Sequence, residues 1–353
     1  MDLVFDIETD GLDASLIHCI VAIDEHDCVH TFDNKQIDEG IKFLQQANKL
    51  IGHNIIEFDI PVIKKLKGID LYDTNKVVDT LVLSRLFQPS RDGGHSLESW
   101  GYRLGFHKAK APEWKDFTND MLMYCITDVT LNKKLYHFLQ EKASGFSKES
   151  ISIEHDVTNI LGQQKRNGFL FDMQEATLLM SKLGRLLQET VDEVHKTFKP
   201  RWVDEKEVIP RKKKNGELSK QGLTNQEYSD IMSGVRPFKP FMRQRLQEFN
   251  LGSRKQIGEY LQDFGWKPKQ FTPTGQPKVD EGTLKEITHI YEAKLIADFL
   301  LYQKRIAQIH SWIEAVGDDE RVHGAVISTG AITGRMAHRN PNMAQVPSVN
   351  SPY

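Results

Sequence analysis

The feature that most restricts how this chain can fold is an apolar run that ends in acid. Leu3-Val4-Phe5 leads directly into Asp6-Ile7-Glu8-Thr9-Asp10-Gly11-Leu12. A short apolar run of this kind reads as a buried strand. Side chains on a strand alternate faces, so Asp6 and Glu8 share one. Two carboxylates on one face of a buried strand end are costly unless something positive sits between them. A hard divalent cation, which takes carboxylate oxygens, meets that need. The competing reading is a solvated strand end running into an Asp-Gly turn. Whether the rest of the chain supplies further ligands decides between them.

With 353 residues, the chain has room for two or three domains and a sizeable core. Hydrophobic residues at 39% and charged residues at 27% fit a globular protein. A net charge of −3 carries no global basic signal, so any nucleic-acid contact has to come from local patches. Cys19, Cys28 and Cys125 have no metal-type pairing and form no disulfide framework, which fits a reducing compartment. No apolar run approaches the roughly 20 residues needed to span a bilayer, and Met1-Asp2 does not open a signal peptide.

Short apolar or alternating runs at Leu3–Glu8, Cys19–Ile23 and Val29–Phe32 predict strands. A helical pattern follows over Ile41–Ala47, then a short strand over Lys49–Gly52, then a helix opening near Phe58. Asp79 reads as the cap of an amphipathic helix, and Gly105 closes another that begins at Ser96. A long helix from about Asp116 carries Tyr124 and Asp128 towards Leu139. This mixed α/β pattern ends near residue 146, with Ser144-Gly145 at the boundary. Beyond it the chain is mainly helical: Ile151–Lys165, a helix from Asp172 to about Phe198, Ser253–Phe264 and Tyr291–Val316. Residues 199–250 read as irregular and charged, and strand character returns at Arg321.

Asn54-Ile55-Ile56-Glu57-Phe58-Asp59 puts a third carboxylate at a strand-to-helix junction. Tyr124 and Asp128 lie at i and i+4, on one helix face. Four carboxylates at element ends, with a phenol beside the last, suit a two-metal phosphodiester hydrolysis site. Two cations about 3.5–4 Å apart stabilise the attacking and leaving oxygens of an in-line displacement. Taken singly, Asp59 and Asp128 read equally as helix-start and solvated helix acids, and Tyr124 as a core aromatic. Their order and spacing together favour the site. His53 and His95 belong to none of these motifs and read as structural.

Asp6-x-Glu8, Asn54-x3-Phe58-Asp59 and Tyr124-x3-Asp128 resemble the three motifs of the DEDD exonuclease superfamily, Tyr subclass. The resemblance implies a 3′→5′ exonuclease on an RNase H-like fold. It implies that Asp6, Glu8 and Asp128 hold a first Mg²⁺, with Mn²⁺ as a substitute. Asp6 would bridge to a second ion served by Asp59, and Tyr124 would position the attacking water. Asn54 and Phe58 would contact the DNA end. Met123 stands where the other subclass carries a His.

Further segments are similar to the replicative DNA polymerases of short-tailed phages of the T-seven type, within family A. They include Val78–Leu86, Leu97–Gly105, Gln164–Phe169 and Tyr302–Ile306. Gly330-Ala331-Ile332-Thr333-Gly334-Arg335 and Asn340–Pro347 resemble the motif that opens the family's palm. The resemblance implies a chain of the α/β class with three domains. These are an RNase H-like exonuclease domain (1–146), a mainly helical polymerase thumb (147–320) with a charged insertion at 199–250, and the first palm strands (321–353). Arg335, with Asn342 and Gln345, would contact the primer-template, since a fork of donors suits minor-groove acceptors and phosphates. Taken alone, Arg335 reads equally as a turn arginine paired with a nearby acid. The insertion sits where the family binds a host processivity factor, thioredoxin. Its basic residues, Arg211–Lys214 among them, read either as phosphate contacts or as a solvated loop.

The palm carboxylates and the fingers helix that such a polymerase needs do not follow Gln345. The expectation is a proofreading and thumb portion unable to polymerise alone, either truncated or completed by a second chain carrying palm and fingers. It would act on DNA in the cytoplasm of an infected bacterial host, preferring frayed or single-stranded 3′ ends. Two other classes compete: a free-standing DEDD exonuclease on RNA or DNA, and a non-catalytic DNA-binding clamp subunit.

Overall fold

A computed structural model of the chain describes residues 1–143 and 145–348. Ser144, at the expected boundary, and residues 349–353, the end of the expected palm segment, lie outside the described residues. In chain order the elements are β1 (Asp2–Thr9), β2 (Ile17–Asp24), β3 (Val29–Phe32), α1 (Ile37–Gln45), β4 (Lys49–Gly52) and α2 (Asp59–Lys67). Then come β5 (Val77–Asp79), α3 (Thr80–Phe87), α4 (Leu97–Leu104), α5 (Asn119–Lys142), α6 (Lys148–Asn167) and β6 (Phe169–Leu170). The remainder is α7 (Met173–Thr197), β7 (Arg201–Val208), α8 (Asn225–Met232), β8 (Phe241–Gln247), α9 (Arg254–Asp263), α10 (Glu281–Glu286), α11 (Tyr291–Ile313), β9 (Arg321–Val322), β10 (Ala325–Ile327) and β11 (Ala337–Arg339).

These elements form two compact units. The first joins residues 1–172 to those from 314 onward; the second is 173–313. The sequence pattern led instead to three consecutive domains. Helix α6 packs against α3, β5 and β10, and β9 pairs with β6 through Phe169↔Val322 and Leu170↔Arg321. The C-terminal strands therefore belong with the N-terminal sheet by contact.

The first unit is built on a five-stranded sheet in the order β3-β2-β1-β4-β5. Strand β1 is antiparallel to β2 and parallel to β4. Its alternation divides two cores. Leu3, Phe5 and Ile7 pack with Ile41 and Leu44 of α1 and Ile60 and Ile63 of α2. Val4 packs on the opposite face with Cys125 and Val129 of α5. Asp6 and Glu8 share the parity of Val4 and so point to the α5 side. Helices α3 and α4 complete that layer, with the fully buried Trp100 against Leu131 and Leu135 of α5.

Caps set the helix starts. Asp79 accepts from Leu81 N–H, Ser96 from Ser99 N–H and Thr118 from Met121 N–H. The left-handed Gly105 ends α4.

The second unit pairs α7 with α11 over a core of Val194, Phe198, Phe249, Ile257, Leu261 and Ile296. Phe198 stacks on Phe249 at 4.3 Å. The expectation of an irregular 199–250 is corrected here. Strands β7 and β8 form an antiparallel ladder from Arg201↔Gln247 to Val208↔Phe241, with α8 between them in the chain. Arg243 joins Glu227 of α8, and Arg201 joins Glu259 and Asp263. Mostly polar strands in which both faces meet water gave little apolar alternation to read.

Candidate active site

The carboxyl ends of β1, β4 and β5 lie side by side, the region where open α/β sheets bind ligands. Pairing of β1 with β4 covers Asp2↔Lys49 to Val4↔Ile51 and then stops. A β-carbon on Gly52 would stand 2.1 Å from Ile55 Cγ2 and 3.1 Å from the Phe5 carbonyl, so only glycine admits the chain turning here. Beyond the last rung the Ile7 N–H is free of β4, and it donates to Asp59 Oδ1 at 3.1 Å. That bond fixes the first residue of α2 beside β1.

Asp79 holds the opposite wall. Its carboxylate accepts from the N–H groups of Asn54 and Leu81, each at 2.9 Å, and Ile56 at 3.1 Å. Asn54 takes a left-handed conformation, φ 70°, and its carbonyl accepts from Glu57 and Phe58. Both Asn54 and Phe58 line a groove of about 1110 Å³ that also reaches Asp6 and Asp128. His53 and His95, on the same groove, are held by Thr80 at 2.9 Å and Ser84 at 2.7 Å. Burial pushes His53 down to about 4, so it is a neutral wall residue, as its lack of a motif suggested.

Asp6, Glu8, Asp59 and Asp128 converge from β1, α2 and α5. Each is raised above the ordinary carboxylate range, by burial first. Repulsion from Asp59, Glu8 and Asp128 adds to the rise at Asp6. Glu8 is pushed to about 9 and Asp59 to about 7, the latter eased by the Ile7 N–H. Buried acids with repulsion at Asp6 and Glu8 are the pattern of a site that takes positive charge. Tyr124 stands one turn from Asp128; burial raises its hydroxyl, and the Asp128 carboxylate adds to that.

The one cation inside this cluster, among the described residues, escaped the sequence reading. Lys108 Nζ lies 2.5 Å from Asp128 Oδ2 and 4.9 Å from the centre of the Tyr124 ring. Burial alone lowers its ammonium, but Asp128 and Tyr124 outweigh this and raise it. Lys108 belongs to the loop between α4 and α5. Trp114 of the same loop meets Tyr124 edge-on at 5.7 Å, and its carbonyl contacts His18 Nε2 at 2.9 Å. A single lysine in a polar loop has no spacing to reveal it.

The cluster fits a hard cation. Asp128 Oδ1 is buried with no hydrogen-bond partner among the described residues. Ligand atoms of Asp6, Glu8 and Cys125 lie within 4.8 Å of one another. The Cys125 thiol donates to the Asp6 carbonyl at 3.7 Å, and burial pushes it well up. A thiol is a soft donor, whereas a hard cation takes the carboxylate oxygens.

Arg335, Asn342 and Gln345 do not line this groove. The Arg335 carbonyl accepts from Ala331 N–H across the Gly334 turn, and Asn342 Oδ1 caps the 3-10 turn that contains Gln345. Thr329, Gly330 and Arg339 of the same segment do line it.

Residues 236–352 match the family described as DNA polymerase family A. The DNA-directed DNA polymerase of Enterobacteria phage T3 is 28% identical, aligned over 99% of this chain and 63% of its own length. That of Escherichia phage T7 is also 28% identical, with the same coverage. The chain is thus similar to these phage DNA polymerases over nearly all of its length, and to family A over residues 236–352. It spans just under two thirds of the length of those relatives. A solved structure, the POL domain of Pol1 from M. smegmatis in complex with DNA primer-template and dNTP, superposes with a TM-score of 0.66 at 15% identity. It covers 99% of this chain and 52% of that one, a likeness of fold. Among the described residues no helix is long and apolar enough to cross a membrane.

Proposed function

We propose that this chain is the proofreading 3′→5′ exonuclease and thumb portion of a phage DNA polymerase, releasing 3′-terminal nucleotides from DNA. In this reading residues 1–146 form an RNase H-like exonuclease domain, 147–320 the thumb, and 321 onward the opening of the palm. The observation that carries it is the quartet of half-buried Asp6 with buried Glu8, Asp59 and Asp128 beside Tyr124, with Asp128 Oδ1 unsatisfied. A structural acid in the same fold, Asp79, has three backbone N–H partners instead.

Asp6, Glu8 and Asp128 would hold one divalent cation, and Asp59, through its second oxygen, would serve another. Bound there, such a pair ionises water and stabilises the attacking and leaving oxygens. The chain's own groups do the rest. Tyr124 orients water by its hydroxyl. Lys108 fixes Tyr124 against Asp128. Phe58 and Asn54 shape the wall against which a terminal nucleotide lies.

The test is a 5′-labelled single-stranded DNA oligonucleotide incubated with purified chain and Mg²⁺. Stepwise shortening from the 3′ end, absent in Asp6→Ala/Glu8→Ala, is expected. No shortening at any protein concentration would leave the binding-only reading.

A further inference from the structure

We propose that Arg85, Arg166 and Arg339 form a second binding site on the groove, a clamp for backbone phosphates of the nucleic-acid strand whose 3′ end reaches the carboxylates. The choice of ligand rests on the exonuclease reading above; the arginine cluster itself does not. The three residues come from separate elements, α3, the end of α6, and β11, and all line the same groove as Asp6 and Asp128.

Two features place them there. The end of α6 is tied to the C-terminal segment: His323 Nδ1 meets the Lys165 carbonyl at 2.7 Å, and Arg321 Nη1 donates to the Asn167 and Gly168 carbonyls. On α6 itself, Arg166 folds back over Gly162, where a β-carbon would stand 3.2 Å from its Nη1. The buried glycine leaves that path open.

Among the described residues, none of the three side chains has an ion-pair or hydrogen-bond partner. Arg85 is half-buried. Burial lowers it, Glu57 and Asp79 offset some of that, and Arg339 adds repulsion. Glu57 also acts on Arg166. Asp70 adds to Glu57 at Arg166, but none of these acids forms an ion pair with the three guanidinium groups, of which those of Arg166 and Arg339 are exposed to a ligand entering the groove. Planar forks of donors match phosphate oxygens in two-point contacts. A groove of about 1110 Å³ is far larger than a single phosphate, and the fitting ligand is a run of phosphodiesters. The site thus has two poles. Acids take the terminal linkage through cations, and arginines take the linkages behind it.

The test measures binding without turnover. A 5′-fluorescent single-stranded oligonucleotide is titrated in Ca²⁺, by anisotropy, with wild type, Arg166→Gln/Arg339→Gln and Arg85→Met, each checked for an unchanged thermal melt. The double variant is expected to bind about tenfold more weakly, the loss of charge-assisted bonds. Its slope of log affinity against log salt should fall by about 1.4, at about 0.7 per phosphate contact. Arg166→Lys/Arg339→Lys, which keeps the charge, should restore the slope but not the full affinity.

Single methylphosphonate linkages a few nucleotides from the 3′ end should weaken wild type and leave the double variant unmoved. Equal affinity and slope in wild type and both neutral variants would overturn the clamp, as would equal methylphosphonate effects at every position. Competition by inorganic phosphate as effective as that by the oligonucleotide would reduce it to a simple anion site and overturn it too. Arginine-dependent binding in a chain that never shortens DNA with Mg²⁺ would uphold the clamp and remove the exonuclease reading.

Discussion

Glu8 and Glu227 are the same residue type at nearly the same exposure, 7% and 8%. Their carboxyls nevertheless shift in opposite directions. Glu8 is driven up to about 9 by burial, then by Cys19, Asp128 and Asp59 around it. Glu227 is held down at about 2 by the Arg243 fork, helped by its capping box with Thr224. The two sites differ in depth and in partner: burial is the largest cause at Glu8, the Arg243 fork the largest at Glu227. In the helical unit a buried acid was placed together with its cation, and the pair pins β8 to α8. In the sheet unit four acids were brought together around one lysine. An arrangement that opposes its own folding persists where something bound restores the balance.

The largest expected effect separates the two regions by activity. Asp6→Ala/Glu8→Ala should reduce 3′ nucleotide release to background, whereas Glu227→Gln should leave it near wild type, both read on the labelled oligonucleotide. Tyr124→Phe comes next: losing one hydroxyl bond to the reacting water should slow release by about 10- to 100-fold, in kcat more than in KM. Retained full activity in Tyr124→Phe would make the phenol a packing group.

Smaller effects appear in stability. Arg243→Ala strands Glu227 and should cost about 2–3 kcal/mol in chemical unfolding. The same change, Glu→Gln, should then have opposite signs at the two positions. In EDTA, Glu8→Gln is expected to stabilise by about 1–2 kcal/mol, because it removes an uncompensated buried acid. Glu227→Gln should destabilise. Equal signs would erase the contrast.

The least effect is in pH. Glu227 is depressed below its ordinary value of 4.5, so its contribution is present above that value and is lost as pH falls towards about 2. An acid melt of wild type against Glu227→Gln should converge across that window.

Much of the site was legible before the fold was seen, for reasons that are local. Asp6 and Glu8 show their shared face through strand parity, and Tyr124 and Asp128 through the helical repeat. Asp59 stood out at a strand-to-helix junction, and Asp79 was readable as a cap. Lys108 was not legible, because a lone loop lysine reaches Asp128 only through the packing of Trp114 on Tyr124. Neither were Arg85, Arg166 and Arg339. Their meeting depends on α6 packing against α3 and β10, contacts between distant segments that no local pattern shows. The β7–β8 hairpin was missed for a different reason. Charges such as Asp204, Glu205, Lys206 and Glu207 fill both faces of β7, and a ladder of backbone bonds rather than an apolar face defines it.

The central claim is that the acids of the sheet unit are gathered for cations. Calorimetric titration of metal-free chain with Mn²⁺ tests it most directly. Wild type and Glu227→Gln are predicted to bind the ion alike, and Asp6→Ala/Glu8→Ala to lose that binding. Identical binding isotherms for wild type and Asp6→Ala/Glu8→Ala would contradict the claim.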